Sequence, residues 1–290
     1  MKHLYFTTVL LLTLALLLTA CSYGGVNISF NSQTIKGSGT VTTEARQVSG
    51  FSKVELQSIG NLTIKQGTSE SLNIKADDNL LPYITTEVDG DTLKIGMKPN
   101  INVDPTQKIE YALTVKSLSS VVLSGFGNIN ADELTGSALD IRLSGSGDIN
   151  VGQITADSLT MHLSGLGNIT VNTAKVTDPN LELAGSGNLT INTLNADSFA
   201  LSLSGLGTAS VSGTATNQTI RLSGAGNYKG GDLQSSKAEV TISGLGDATV
   251  WAVDSLSSSI TGSGKVKYFG APQLTQNITG LGSVSSLGAH

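Results

Sequence analysis

Apolar and polar side chains alternate with a period of two through residues 41–115: Phe51, Val54 and Leu56, then Leu62 and Ile64, Leu72 and Ile74, Leu93, Ile95 and Met97, and last Tyr111, Leu113 and Val115. Successive side chains of an extended strand point to opposite faces, so this period predicts strands with one buried face. Asp89-Gly90-Asp91 separates Thr85–Val88 from Thr92–Met97 and predicts a hairpin, because Asp-Gly readily supplies the positive φ of a tight turn. Residues 99–108, with Pro99, Asn100, Asn102, Asp104 and Pro105, predict an exposed loop.

From Ser124 onward the alternation becomes a repeat. Copies of a Ser-Gly-x-Gly-Asn stretch begin at Ser124, Ser144, Ser164, Ala184, Ser204, Ser223, Ser243, Thr261 and Thr279; the step is 20 residues five times, with steps of 19, 18 and 18 among the last four. One and three residues before the Ser stand apolar pairs such as Leu143 with Ile141 and Leu163 with Met161. After the glycines comes a second apolar segment (Ile149 with Val151, Ile169 with Val171). A third apolar point follows ten residues after the Ser, at Leu134, Ile154, Leu194, Leu233 and Val253. Three inward segments per coil, separated by Gly, Asn, Asp and Ser turns, predict an all-β fold: a right-handed parallel β-helix, triangular in section, with an N-terminal β-rich cap. A unit of this length cannot bury its apolar face alone and must stack on its neighbours. Eight or nine coils at about 4.8 Å each make a rod on the order of 40 Å long. The expected organisation is a leader over 1–20, a flexible Gly/Ser-rich tether over 21–40 with a short strand at Val26–Phe30, the cap over 41–115 and the β-helix body over 116–290.

The corner itself has a structural explanation. Two glycines permit close approach between coils, and Asn tolerates the left-handed region while bonding to its neighbours. Asn128, Asp148, Asn168, Asn188, Asn227 and Asp247 are expected to stack as a ladder along one edge, interrupted at Thr208, Lys265 and Ser283. A dinucleotide loop needs a helix after its glycines, whereas a strand follows each copy here. Calcium needs several carboxylates together, and Asp148 and Asp247 fall five coils apart. The middle corner residue alternates in size: Phe126, Ser146, Leu166, Ser186, Leu206, Ala225, Leu245, Ser263, Leu281. The expectation is that each large side chain packs over the small one of the adjacent coil.

The first twenty residues carry Lys2 and His3 and then an apolar run from Val9 to Leu18, the pattern of an export signal. Leu18-Thr19-Ala20-Cys21 resembles the lipobox of bacterial lipoproteins. That resemblance implies a lipidated Cys21 at the mature N-terminus, and Ser22 after it suggests the outer membrane, with the periplasmic or surface face left open. Cys21 is the only cysteine among 290 residues, so the chain has no internal disulfide.

Nothing in the chain assembles an active site. His162 stands in an outward row between Arg142 and Glu182, read as a surface ion-pair ladder, and the corner Ser residues lack a base. A net charge of −5 without a basic stripe argues against nucleic acid. No cofactor and no metal are expected. Aromatic residues make up 4% of the chain, and a glycan-active or glycan-binding β-helix would need Trp251 or Tyr228 in a groove.

Phe51-Ser52-Lys53-Val54-Glu55-Leu56, Gly60-Asn61-Leu62-Thr63-Ile64, Asp77-Asp78-Asn79-Leu80-Leu81, Asp91-Thr92-Leu93-Lys94-Ile95 and the serial Ser-Gly-x-Gly-Asn corners together resemble the head GIN domain family, described as autotransporter adhesins. The resemblance covers nearly all of residues 45–285. It implies a bacterial envelope protein with a β-helical body and no catalytic residues. The expected role is non-catalytic adhesion, surface interaction or scaffolding by a lipid-anchored rod. A glycan-binding or glycan-active protein and a self-assembling envelope module stand as alternatives. The expected partners are the membrane through lipid on Cys21, a surface glycan or protein, and a second copy met through the C-terminal coil around Ile278, Val284 and Leu287.

Overall fold

The computed structural model describes residues 32–290; the leader, Cys21 and the strand expected at Val26–Phe30 lie outside the described residues. The described residues contain twenty strands and one turn of 3-10 helix at Leu81–Tyr83, joined by turns and corners. They form a β-solenoid with about 20 residues per coil. Its body stacks the long strands Asn128–Leu143, Ile149–Leu163, Ile169–Leu183, Leu189–Leu203, Thr208–Leu222, Asn227–Ile242 and Ala248–Ile260. Neighbours pair in parallel and in register, so that Ile149 lies on Ile169 and Leu163 on Leu183.

Each coil is one bent strand rather than three strands separated by turns. In Ile149–Leu163 the buried residues are Ile149, Val151, Ile154, Leu159, Met161 and Leu163. The two bends fall where successive side chains both leave the core, at Gly152-Gln153 and Asp157-Ser158. Parallel ladder bonds to the coils above and below continue on both sides of these bends, so the backbone stays extended without a turn. Only the Ser-Gly-x-Gly-Asn corner leaves strand geometry.

Irregular steps are absorbed at the first bend. Ile191 pairs with Val211 but Leu194 pairs with Gly213, so one residue is lost there, and Gly213 takes a φ of 122°. In the next coils Gly230 pairs with Val250 and Gln234 with Trp251. This shortening places Ala252 in the core, fully buried, and turns Val253 outward at 44% exposure. The inward position expected for Val253 is therefore wrong. A fixed count of ten residues fails once a bend has lost residues, because inward and outward alternate with a period of two.

At the N-terminal end the stack continues out of chain order. Lys53–Leu56 pairs in parallel with Ser120–Leu123 on one side and Thr92–Met97 on the other; Asn61–Gln66 is likewise placed between Asn128–Ala131 and Glu110–Val115. Antiparallel strands then cover the end: Val41–Arg46 on Ser71–Asp77, Ser71–Lys75 on Glu110–Thr114, and Ile84–Asp89 on Thr92–Met97. The last pair is the expected Asp89-Gly90-Asp91 hairpin, with Gly90 at φ 62°. Ile101–Asp104, expected in a loop, pairs instead with Gln33–Lys36, which lies in the segment expected as a tether.

Asp77 fastens this end. Its buried carboxylate accepts hydrogen bonds from the Gly39 N–H (2.8 Å), the Thr106 N–H (2.9 Å) and the Thr106 hydroxyl (2.6 Å), joining two loops. The Thr106 hydroxyl bond, helped by the two amides, holds the carboxyl below its ordinary value of 3.8. A depressed folded-state value means that this tie is complete above the ordinary carboxylate range and weakens as pH falls through the depressed value. The protection of the Gly39 and Thr106 amides relative to free amides at the same pH is expected to fall in that acid range, and Asp77→Asn is expected to abolish this change in protection. An unchanged response in the variant removes Asp77 as its source.

Candidate functional site

The corners form the edge on which outward chemistry repeats. A Cβ on Gly145 or Gly147 would run into the backbone carbonyls of Gly125 and Gly127 in the coil below, and the same holds along the stack. With the glycines facing inward, the middle residue is thrown outward and the Asn or Asp stays beside the next coil, half-buried at Asn128, Asp148, Asn168 and Asp247 and exposed at Asn188 and Asn227. Asn128 Oδ1 accepts the Asp148 N–H (2.9 Å), Asp148 Oδ1 the Asn168 N–H (2.9 Å), Asn168 Oδ1 the Asn188 N–H (3.1 Å) and Asn188 Oδ1 the Thr208 N–H (3.2 Å). After Thr208, which has no amide oxygen to offer, the Asn227 N–H turns to the Gly207 carbonyl (3.1 Å). Asn227 and Asp247 resume the pattern toward Asp247 and Lys265. Side-chain oxygens thus satisfy corner amides that lack a ladder partner. The row starts one coil before the expected ladder, at Asn61, whose Oδ1 accepts from Asn128 Nδ2 at 3.1 Å. The Gly60-Asn61 pair was the available signal, hidden by the 67 residues that separate Asn61 from Asn128.

Two residues further along the strand a second polar row faces solvent: Asn130, Asn150, Thr170, Thr190, Ser210 and Lys229. Asn150 Nδ2 donates to Asn130 Oδ1 at 3.2 Å. The two rows border an open groove of about 400 Å³ between Asp148 and Lys229. Its lining is almost wholly amide and hydroxyl. Among the described residues no three His, Cys, Asp or Glu side chains gather as a metal site.

The outward row before the Ser pairs less regularly than expected. His162 Nδ1 lies 2.8 Å from Glu182 Oε2, but Arg142 turns to Asp140 of its own coil at 2.7 Å. All four groups are at least partly exposed, so these pairs contribute little.

Neither aromatic residue considered for a sugar platform is free. Tyr228 is buried and donates its hydroxyl to Gln218 Oε1 at 3.2 Å; Gln218 Nε2 donates to Ser235 Oγ (2.7 Å) and the Trp251 carbonyl (3.2 Å). Trp251 is stacked on His290, with centroids 4.0 Å apart and planes at 5°, and Phe269 meets the His290 ring edge-on. Tyr228 stands five residues after Ser223, in the same inward column as Ile149 and Ile169, so the repeat itself excludes it from a sugar platform; the coil register then brings Phe199 and Gln218 around it.

The middle corner residues do not pack over their small neighbours as expected. Phe126, Leu166, Leu206, Leu245 and Leu281 are 76%, 71%, 69%, 69% and 90% exposed. They project from the edge because the glycines on either side occupy the space toward the core. In the last coil, among the described residues, Gln273–Ile278 and Ser283–Gly288 each pair on one side only, with Ser255–Ile260 and Lys265–Phe269.

Residues 50–174 and 167–272 match the sequence profile of a family described as "Putative auto-transporter adhesin, head GIN domain". No curated protein matches the chain by sequence. Among solved structures, a "putative adhesin" from Parabacteroides merdae superposes with a TM-score of 0.69 at 23% identity, covering 88% of this chain and 99% of that one. One of the same description from Parabacteroides distasonis gives 0.67 at 24%, covering 88% and 100%. A "putative lipid binding protein" from Parabacteroides distasonis gives 0.65 at 26%, again covering 88% and 100%. The repeated corner, the solenoid it builds and the two profile matches lead to one conclusion: the chain belongs to the head GIN domain family.

Proposed function

We propose that this chain is a non-catalytic adhesion protein of the bacterial envelope, anchored in the outer membrane by lipid on Cys21, and that its amide and hydroxyl face binds a hydroxyl-rich surface glycan. The observation that carries this reading is the groove beside Asn150, Thr170 and Thr190, where neutral donors and acceptors repeat at coil spacing. Amides and hydroxyls match sugar hydroxyls and do not titrate near neutral pH. The ionisable side chains of the groove are Asp148 at one end and Lys229 at the other, four coils apart, so no pair of carboxyl groups flanks a bound sugar as glycoside hydrolysis needs. The adhesin description of the family supports the same reading.

The test uses the full chain on intact cells, with a tag after Gly288. The tag is expected to be open to protease without permeabilisation, and cells are expected to bind polysaccharide-coated beads. Asn150→Leu combined with Thr190→Leu is expected to lower bead retention at least tenfold. A tag reached only after permeabilisation rules out outward adhesion; retention unchanged by the variant rules out this face. The unpaired strands of the last coil favour a second reading, end-to-end stacking of rods as an envelope scaffold.

A further inference from the structure

The large and small corner residues form a regular edge: five exposed knobs, Phe126, Leu166, Leu206, Leu245 and Leu281, with Ser146, Ser186, Ala225 and Ser263 between them. Coil stacking sets successive knobs about 9.6 Å apart, twice the strand spacing, with a gap one small side chain deep at each midpoint. A single coil contributes either a knob or a gap, never both. The small residue does not cover its large neighbour, so among the described residues the alternation has no packing partner.

We infer that this edge is a self-complementary interface that pairs two copies of the chain side by side and antiparallel, four of the five knobs of one copy entering the four gaps of the other. A two-fold axis perpendicular to the edge, midway between the Ser186 and Leu206 corners, reverses the order of the corners. It sets Leu206 against Ser186 of the second copy, Leu166 against Ala225, Leu245 against Ser146 and Phe126 against Ser263. Every gap of both copies is filled. Leu281 is left opposite Ile59, which occupies the knob position of the cap corner because Asn61 pairs with Asn128. The axis makes the contact isologous and closed, so it yields a dimer rather than a filament.

Gly stands on either side of each knob or gap, with Ser, Thr or Ala beyond it on one flank and Asn, Asp, Thr208, Lys265 or Ser283 on the other. The axis sets Asn168 level with Asn227, Asn188 with Thr208 and Asn128 with Lys265 of the second copy, and Asp148 with Asp247 as the one like-charged pair, at the rim where salt screens it. An edge on the order of 40 Å long and ~10–15 Å wide covers roughly 400–600 Å² per copy, the low end of specific interfaces, which suits a dimer that dissociates on dilution. This inference does not depend on what the amide face binds.

The test uses the full chain in its own cells, with Ser146→Cys and Leu245→Cys in one molecule and a short bismaleimide as crosslinker. Within one chain these positions are five coils, or about 24 Å, apart and beyond its reach; across the proposed axis they face each other. A crosslinked dimer is expected from the double variant, and neither single variant should give it above the Cys21 background. Adding Leu166→Ser and Leu206→Ser is expected to lower the dimer yield at least tenfold, while Val253→Ser, exposed on another side of the coil, leaves it unchanged. All five substituted positions face solvent, and an unaltered melting transition checks that the fold is kept. A double variant that crosslinks no more than the singles, a yield indifferent to the knob substitutions, or labelling of the knob positions by a lipid-soluble photoprobe in place of dimerisation overturns the inference.

Discussion

Gly167→Ala is expected to be among the most damaging single changes in the body of the solenoid. An ideal Cβ at residue 167 lies 2.7 Å from the carbonyl carbon and 3.3 Å from the amide nitrogen of Gly147, with the carbonyl oxygen closer still. Ordinary carbon contacts are about 3.5–4.0 Å. The obstruction is backbone, and that backbone is pinned: the Leu166 N–H donates to the Gly145 carbonyl at 3.1 Å and the Ile149 N–H to the Asn168 carbonyl at 2.9 Å. No side chain can rotate away, so the coils must separate locally and lose ladder bonds on both sides. The expected cost is about 3 kcal/mol or more, in the upper range for overpacking. Gly90→Ala is the comparison. Gly90 has a φ of 62° and open space around its would-be Cβ, so only backbone strain of about 1–2 kcal/mol applies. The check is the denaturant midpoint of each variant. If Gly167→Ala lowers it no further than Gly90→Ala, close coil approach is not what the corner glycines provide.

Tyr228→Ala is expected to destabilise by about 3–5 kcal/mol, the range for emptying a buried aromatic site. The ring sits in the core with its centroid 6.1 Å from that of Phe199, and its hydroxyl is the donor to Gln218 Oε1. The chain makes room for it with Gly230, where a Cβ would strike the Tyr228 ring. Tyr228→Phe separates the two contributions. It keeps the ring and leaves a buried amide oxygen without its donor, for an expected loss of about 1–3 kcal/mol. Burial also raises the Tyr228 hydroxyl far above its ordinary value of 10.0, and Tyr111 is pushed up to about 12, the Ser58 bond offsetting a little of its burial. Because the folded-state values are the higher ones, this stability is complete below pH 10 and is lost as pH rises above it, where the unfolded chain releases protons first. Unfolding midpoints measured from pH 9 to 12 are expected to fall less steeply in Tyr228→Phe than in the parent. Parallel curves would show that the phenol does not govern the alkaline loss.

The corner ladder was legible in the chain because its logic is local in each coil: glycines that let coils touch and an amide oxygen in reach of the next coil. Asn61 escaped because its partner Asn128 follows after the whole cap, and no fixed period connects them. The polar row through Asn150, Thr170 and Thr190 repeats at coil spacing but does not stand out as a sequence feature, because isolated polar residues between apolar ones look like any outward strand face. Its becoming a groove depended on the neighbouring ladder standing beside it.

The sequence by itself determined the coil length, the inward apolar positions on either side of the corner, the need for glycine there and the hairpin at Gly90. Each follows from a pattern that a parallel stack repeats at every level. Tertiary structure alone decided the rest. Val253 faces out because two neighbouring coils of unequal length must still align their ladder bonds, and the first bend takes up the difference. The repeat puts Tyr228 in an inward column, but only the register between coils supplies Gln218 to its hydroxyl and Phe199 to its ring. The cap strands interleave out of chain order because hydrogen bonding rewards a matching edge whichever segment supplies it. The large corner residues stand in solvent because inward and outward at a turn are set by the path of the backbone, which a hydrophobicity pattern does not encode.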